Sequence, residues 1–116
     1  MTRIGITGGI GSGKSYVCHL LQQRGIPVYH CDDEAKRLMQ DSPVIRRQLT
    51  QLIGEQAYIN NMLNKPAIAA FLFANAGHAA RINAIVHPVV RQDFLRWAER
   101  QQTDIVAQES AILFEA

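Results

Sequence analysis

Cysteine is scarce in this chain, and what there is forms no motif. Cys18 and Cys31 are the only two among 116 residues. That is too few for a disulfide framework, and neither sits at a metal-ligand spacing, so both are read as reduced thiols. A surplus of either charge is missing as well. Twelve lysines and arginines against ten aspartates and glutamates leave a formal net charge of +2, too little to argue for a nucleic-acid partner. No apolar run approaches the roughly 20 residues that a bilayer demands. The opening residues show no charged-then-apolar signal pattern, so no membrane partner is expected and the chain is read as cytoplasmic. Internal repeats and low-complexity tracts are absent too. With 47% hydrophobic and 19% charged residues, the composition is that of a globular chain. Its length allows one domain, residues 1–116,.

What is present alternates between short apolar segments and helical patterns. Residues 3–7 read as a buried strand running into a glycine cluster,. Residues 14–24 follow helical spacing, with Val17, Leu20 and Leu21 on one stripe and Gly25 as the stop,. Residues 26–29 resemble a second short strand, with Pro27 near its entry,. Strand, helix and strand in such close succession make a βαβ unit, which predicts an α/β fold with a parallel sheet.

Residues 33–40 predict a second helix, with Asp32 at its N-cap,. Ser42 and Pro43 start a third, which carries Ile45, Leu49, Leu52 and Ile53 and stops at Gly54,. Residues 55–64 are polar and turn-like, and residues 66–74 form a small helix. Ile82, Ile85 and Val86 mark another helix. It is expected to break at His87-Pro88, because proline disfavours helix at the residue before it, leaving His87 as a helix-start cap or packed side chain. Val90, Phe94, Trp97 and Ala98 line the next helical stretch, and Ile105, Val106 and Ala107 form a third candidate strand. Residues 33–103 are too long for a simple crossover. They are expected to be a helical insertion covering the acceptor side of the sheet.

The chemistry is carried by Gly8-Gly9-Ile10-Gly11-Ser12-Gly13-Lys14-Ser15, a full match to G-x-x-x-x-G-K-[ST],. The glycines let successive N–H groups turn inward onto phosphate oxygens. Lys14 reaches the β- and γ-phosphates, Ser15 offers a hydroxyl to Mg²⁺, and the helix that begins there adds its positive end. The backbone N–H of Tyr16 extends the same cradle. A Rossmann fingerprint is excluded by the glycine spacing. The implied ligands are ATP and Mg²⁺.

A phosphate loop alone does not name a reaction. Asp32 lies just past the second strand, where a carboxylate can take the proton of an attacking hydroxyl; it is equally suited to cap the helix. Asp33 and Glu34 point away from it at about 100° per residue and are read as solvated. Glu109, at the end of the third strand, is either a ligand for Mg²⁺ or a strand-end carboxylate in solvent. No guanine-specifying Asn-Lys-x-Asp occurs in the chain.

From end to end, several stretches resemble the dephospho-CoA kinase family: residues 4–15, Cys31-Asp32 with Ala35, the Leu63-Asn64-Lys65 turn, residues 83–88, and Leu113-Phe114-Glu115. The resemblance implies a P-loop kinase that phosphorylates the ribose 3′-hydroxyl of dephospho-coenzyme A, with Asp32 as the base. It further implies acceptor contacts by Thr7, Lys65, His87, Phe114 and Glu115. Another P-loop nucleotide or metabolite kinase, or a non-catalytic ATP-binding fragment, are the alternatives.

The chain departs from the family pattern at four places. Tyr16 stands for threonine, His30 for an aspartate two residues before the base, Lys65 for arginine and Ala111 for proline. Family members also continue past Ala116 with further strands and an arginine-bearing lid. The chain alone is therefore expected to leave one edge of its first strand bare, which predicts either poor stability or self-association through that edge. It is expected to bind ATP but turn over at well below about 1 per second, the lower end for kinases. Steady-state ADP release measured on the 116 residues checks this.

Overall fold

The computed structural model describes residues 2–7 and 14–110. Gly8, Gly9, Ile10, Gly11, Ser12 and Gly13 lie outside the described residues, as do Phe114 and Glu115. The chain separates into two compact units: Met1–Glu34 with Arg91–Ala116, and Ala35–Val90.

The first unit is built on three parallel strands, β1 (Thr2–Thr7), β2 (Val28–His30) and β5 (Ile105–Ser110), in the order β1-β5-β2. The last strand in sequence thus lies between the first two. The other side of β1 pairs with no strand among the described residues. Register makes the three strands finish together: Thr7 pairs with Ser110, and both Ile6 and His30 flank Glu109.

Helix α1 (Lys14–Gln23) is stopped as its sequence predicts. Gly25 takes φ 79° and donates to the Gln22 carbonyl, while the Ile26 N–H reaches back to Leu21, both at 3.0 Å. This is a Schellman closure, and only a residue at ease with positive φ can make it. It delays β2, which begins at Val28 rather than Ile26, although the Pro27 carbonyl already accepts from the Ala107 N–H at 2.9 Å.

Strand side chains alternate between faces. One face carries Ile4, Ile6, Val28 and Ala107, which pack with Cys18, Leu21 and Ile26 from α1 and the turn after it. The other face carries Tyr29, only 2% exposed. Its ring meets Phe94 and Trp97, each at a centroid distance of 5.3 Å, and its hydroxyl donates to Asp93 Oδ2 at 2.7 Å. Burial and the Asp93 carboxylate push this phenol well above its ordinary range, so it stays a donor. Both sheet faces are covered, as a parallel sheet requires.

The second unit holds the rest of α2 (Cys31–Asp41), α3 (Pro43–Ile53), α4 (Lys65–Ala74) and the first part of α5 (His78–Glu99). Leu38, Ile45, Leu49, Ile68, Ile82 and Val86 form its core. Ser42 caps α3 through its Oγ, which accepts from the Ile45 N–H at 3.3 Å.

Three expectations are corrected by the fold. Asp32 is not an N-cap: α2 begins directly after β2 at Cys31, so Asp32 is the second residue of the helix. Helix α5 runs unbroken through Pro88, which costs it one intrahelical bond but not its continuity,; His87 is therefore a mid-helix residue and not a cap. The turn-like stretch 55–64 contains a short 3₁₀ turn and a hairpin, β3 (Tyr58–Ile59) and β4 (Met62–Leu63). Asn60 and Asn61 both have positive φ, 53° and 67°, the geometry of a two-residue type I′ loop,. The Gln40 side chain then closes the hairpin, donating to the Asn61 carbonyl and accepting from the Leu63 N–H, both at 2.8 Å.

Leu49 is fully buried and Ser42 is a buried cap. Leu49→Ala is expected to lower stability by about 2–5 kcal/mol, and Ser42→Ala by about 1 kcal/mol. Denaturant unfolding of both variants, with unchanged m-values, checks the ranking.

Candidate active site

In open parallel sheets, ligands bind outside the carboxyl ends of the strands, so the shared end of β1, β5 and β2 is where the candidate residues have to be sought. Thr7 ends β1 there, Glu109 and Ser110 end β5, and His30 ends β2. Helix α2 leaves β2 with no intervening loop, which fixes Cys31 and Asp32 at the same end. Helix α1 also starts at this end, because its far terminus turns into β2 at the opposite end of the strands. Lys14, Ser15 and Tyr16 form its first turn, whose N–H groups have no carbonyl of the helix to donate to. Tyr16 is 67% exposed.

Glu109 departs from one of its two readings. It is not a solvated strand-end group but a buried one, 9% exposed. Its Oε1 lies 3.0 Å from His30 Nδ1. A carboxylate has only lone pairs to offer, so the ring nitrogen carries the proton in this contact. In sequence His30 is simply a departure from the family pattern. Its pairing with a residue 79 positions away carries no sequence signal and depends on strand order.

Asp32 is half-buried and Asp33 exposed; Glu34, expected in solvent, is also half-buried. The acidic first turn of α2 therefore does not simply face water. Cys31 registers the effect. Its Sγ lies 3.7 Å from Gln108 Oε1. Burial first, then the charges of Asp32 and Glu109, push the thiol from 9.0 up to about 11.

Lys65 and His87 belong to the other unit, where Lys65 opens α4, exposed, and His87 is half-buried in α5. That unit also has a crevice of about 410 Å³ lined by Gln40, Asp41, Pro43, Arg46 and Asn61. Arg46 already donates to the Gln40 carbonyl and to Asn61 Oδ1, both at 2.7 Å, and lies over the Tyr58 ring. These contacts brace the hairpin and account for the crevice without a ligand.

Among the described residues no cluster of three or more histidine, cysteine, aspartate or glutamate side chains could hold a metal ion. The donors at the sheet end still fit Mg²⁺, which prefers hard oxygens and is held by one or two carboxylates together with phosphates and water. The buried Glu109 carboxylate is such a donor, and a closed protein cage is not required. No helix among the described residues is long and apolar enough to cross a membrane.

The thiol shift has a direct consequence in the ligand-free protein. Alkylation consumes the thiolate, so at pH 8 Cys31 is expected to react about 100-fold more slowly than an ordinary thiol. The native thiol holds its proton more tightly than the unfolded one. Its contribution to stability is therefore complete below pH 9 and disappears as pH rises toward about 11,. Peptide-resolved iodoacetamide labelling across pH 7–11 checks the rate; an ordinary rate at pH 8 contradicts it.

Comparison with known proteins agrees with this geometry. The family model described as Dephospho-CoA kinase matches residues 2–116. A dephospho-CoA kinase of Bacteroides fragilis is 48% identical over 115 residues, 98% of this chain and 56% of the relative. One of Porphyromonas gingivalis is also 48% identical, with the same coverage. The chain thus spans little more than half the length of these curated relatives. Among solved structures, TT1252 from Thermus thermophilus matches with a TM-score of 0.78 at 34% identity, covering 97% of this chain and 57% of that one. A dephospho-CoA kinase from Campylobacter jejuni matches with a TM-score of 0.71 at 14% identity, covering 97% and 58%, a likeness of fold. A parallel sheet whose strands end beside an acidic helix start, in a chain matched by this family's model from residue 2 to residue 116, belongs to the dephospho-CoA kinase family.

Proposed function

We propose that the chain supplies the nucleotide grip and the base of a kinase that moves the γ-phosphoryl group of ATP onto the 3′-hydroxyl of dephospho-coenzyme A, the last step of coenzyme A synthesis. The observation that carries this reading is the shared end of the sheet. There the start of α1, which comes directly after the glycine-rich segment, and the start of α2, which carries Asp32, lie at one end of the sheet, α1 following β1 and α2 following β2, the two strands that flank β5.

In this reading residues 8–16 hold the triphosphate through backbone N–H groups, and Lys14 offsets charge on the β- and γ-phosphates. Asp32 takes the proton of the acceptor hydroxyl. The hydroxyl oxygen forms its bond to the γ-phosphorus as the bond from that phosphorus to the bridging oxygen breaks, and the electron pair leaves with ADP. Ser15 and Glu109 would hold Mg²⁺, which when bound neutralises charge on the phosphate oxygens. Thr7, Lys65, His87, Phe114 and Glu115 are assigned to the acceptor, and the helical insertion 33–103 is assigned to holding it.

Lys14→Ala is expected to abolish ATP binding in calorimetry. Asp32→Asn is expected to preserve ATP binding and to cut transfer by roughly two to four orders of magnitude. Full transfer by Asp32→Asn removes it from the mechanism. ADP release stimulated equally by unrelated hydroxyl acceptors removes dephospho-coenzyme A as the substrate.

A further inference from the structure

We propose that His30 is a positioning residue, which orients the Glu109 carboxylate and through it tunes the affinity for the Mg²⁺ that accompanies the nucleotide; this rests on the kinase reading above. The two side chains are register partners on neighbouring parallel strands, so the backbone sets them side by side. They share the face of the sheet that carries Val28, Ala107, Ile4 and Ile6 and packs against α1. Glu109 is thereby on the face of α1, at the end of the sheet where α1 begins with Lys14 and Ser15.

Burial gives the contact its weight. Glu109's side chain is 11% exposed and His30's 38%. A carboxylate withdrawn from water costs several kcal/mol unless hydrogen bonds replace its hydration. The 3.0 Å contact to Nδ1 supplies one such bond. It also restricts rotation of the carboxylate about its soft terminal torsion. Partners that orient a metal-binding carboxylate in this way typically govern metal affinity or activity by 10–100-fold. An aspartate at position 30, as the family pattern has it, would offer Glu109 another acceptor in place of this donor.

The test uses the natural polypeptide that carries this sequence. Nucleotide affinity is measured by calorimetry against Mg²⁺ concentration, with kcat and the half-saturating Mg²⁺ concentration measured in parallel. His30→Ala is expected to raise half-saturating Mg²⁺ about 10-fold or more, while nucleotide affinity without metal stays at the wild-type value and shows that the fold persists. His30→Asn, whose amide can donate as Nδ1 does, should recover most of the loss. In a Glu109→Gln background, His30→Ala should add little further. An unmoved Mg²⁺ dependence in His30→Ala, equal impairment by alanine and asparagine, or additive effects with Glu109→Gln would each overturn the proposal. Should His30→Ala not fold, His30→Asn still decides: near-wild-type half-saturation supports the pair, and a 10-fold shift overturns it. Lys14→Ala separates the two levels. If it retains full nucleotide affinity, the kinase reading itself fails. If it loses that affinity while every His30 variant is silent, only the positioning role fails.

Discussion

The parallel pairing of β5 with both β1 and β2 is the constraint on which the rest of the sheet unit depends. Residues 105–110 are the only described link between residues 2–7 and residues 28–30 in the sheet. Without them, β1 and β2 are two short apolar segments with unmet backbone groups. With them, every residue from Thr2 to Thr7 has a register partner, and three strand ends converge. The pairing is long-range and parallel, so it is entropically costly to form. The apolar layers on both faces offset that cost: Cys18, Val28 and Ala107 on one side, Tyr29 with Phe94 and Trp97 on the other.

That arrangement explains how one end of the sheet can serve two purposes. Helix starts concentrate unpaired N–H groups, and here two helices, α1 and α2, start at the same end of one sheet. They differ in the side chains of their first turns. The α1 start carries Lys14 and Ser15, suited to an anion. The α2 start carries Asp32, Asp33 and Glu34, suited to proton acceptance and to cations. A basic and an acidic helix start at the same end of the sheet, on the two strands that flank β5, suit the proposed phosphotransfer better than a simple phosphate cradle would.

Local rules make much of this legible. Gly25 and Gly54 stopping helices, Ser42-Pro43 starting one, and the glycine-rich run between a strand and Lys14-Ser15 each depend on a few adjacent residues, and sequence exposes those directly. Sequence misleads where tertiary contacts outweigh local preference. Pro88 predicts a helix break, yet Ile82 and Val86 before it and Phe94 and Ala98 after it are all buried. Packing on both sides outweighs the one bond lost. The hairpin at Asn60-Asn61 has a local signal, two asparagines tolerant of positive φ,, but strands of two residues are too short for periodicity to show. Strand order and the His30–Glu109 contact are illegible, because nothing local says which strands will be neighbours.

The Cys31 thiol reflects the carboxylates gathered around it. Burial contributes most to its upward shift, and the charges of Asp32, Glu109 and Glu34 add to it, so the surroundings of this thiol are rich in carboxylates. A negative field is a poor place for a triphosphate, since like charges in a low-dielectric setting repel strongly. Such a site can work only if positive charge stands between the carboxylates and the phosphates. Lys14, the positive end of α1 and a divalent cation are the charges available to that chemistry. The acidic surroundings therefore do not weaken the phosphate-binding reading. They set its condition, and they explain why a histidine rather than a further carboxylate is well placed beside Glu109: it satisfies the buried acid without deepening the negative potential that the cation has to overcome.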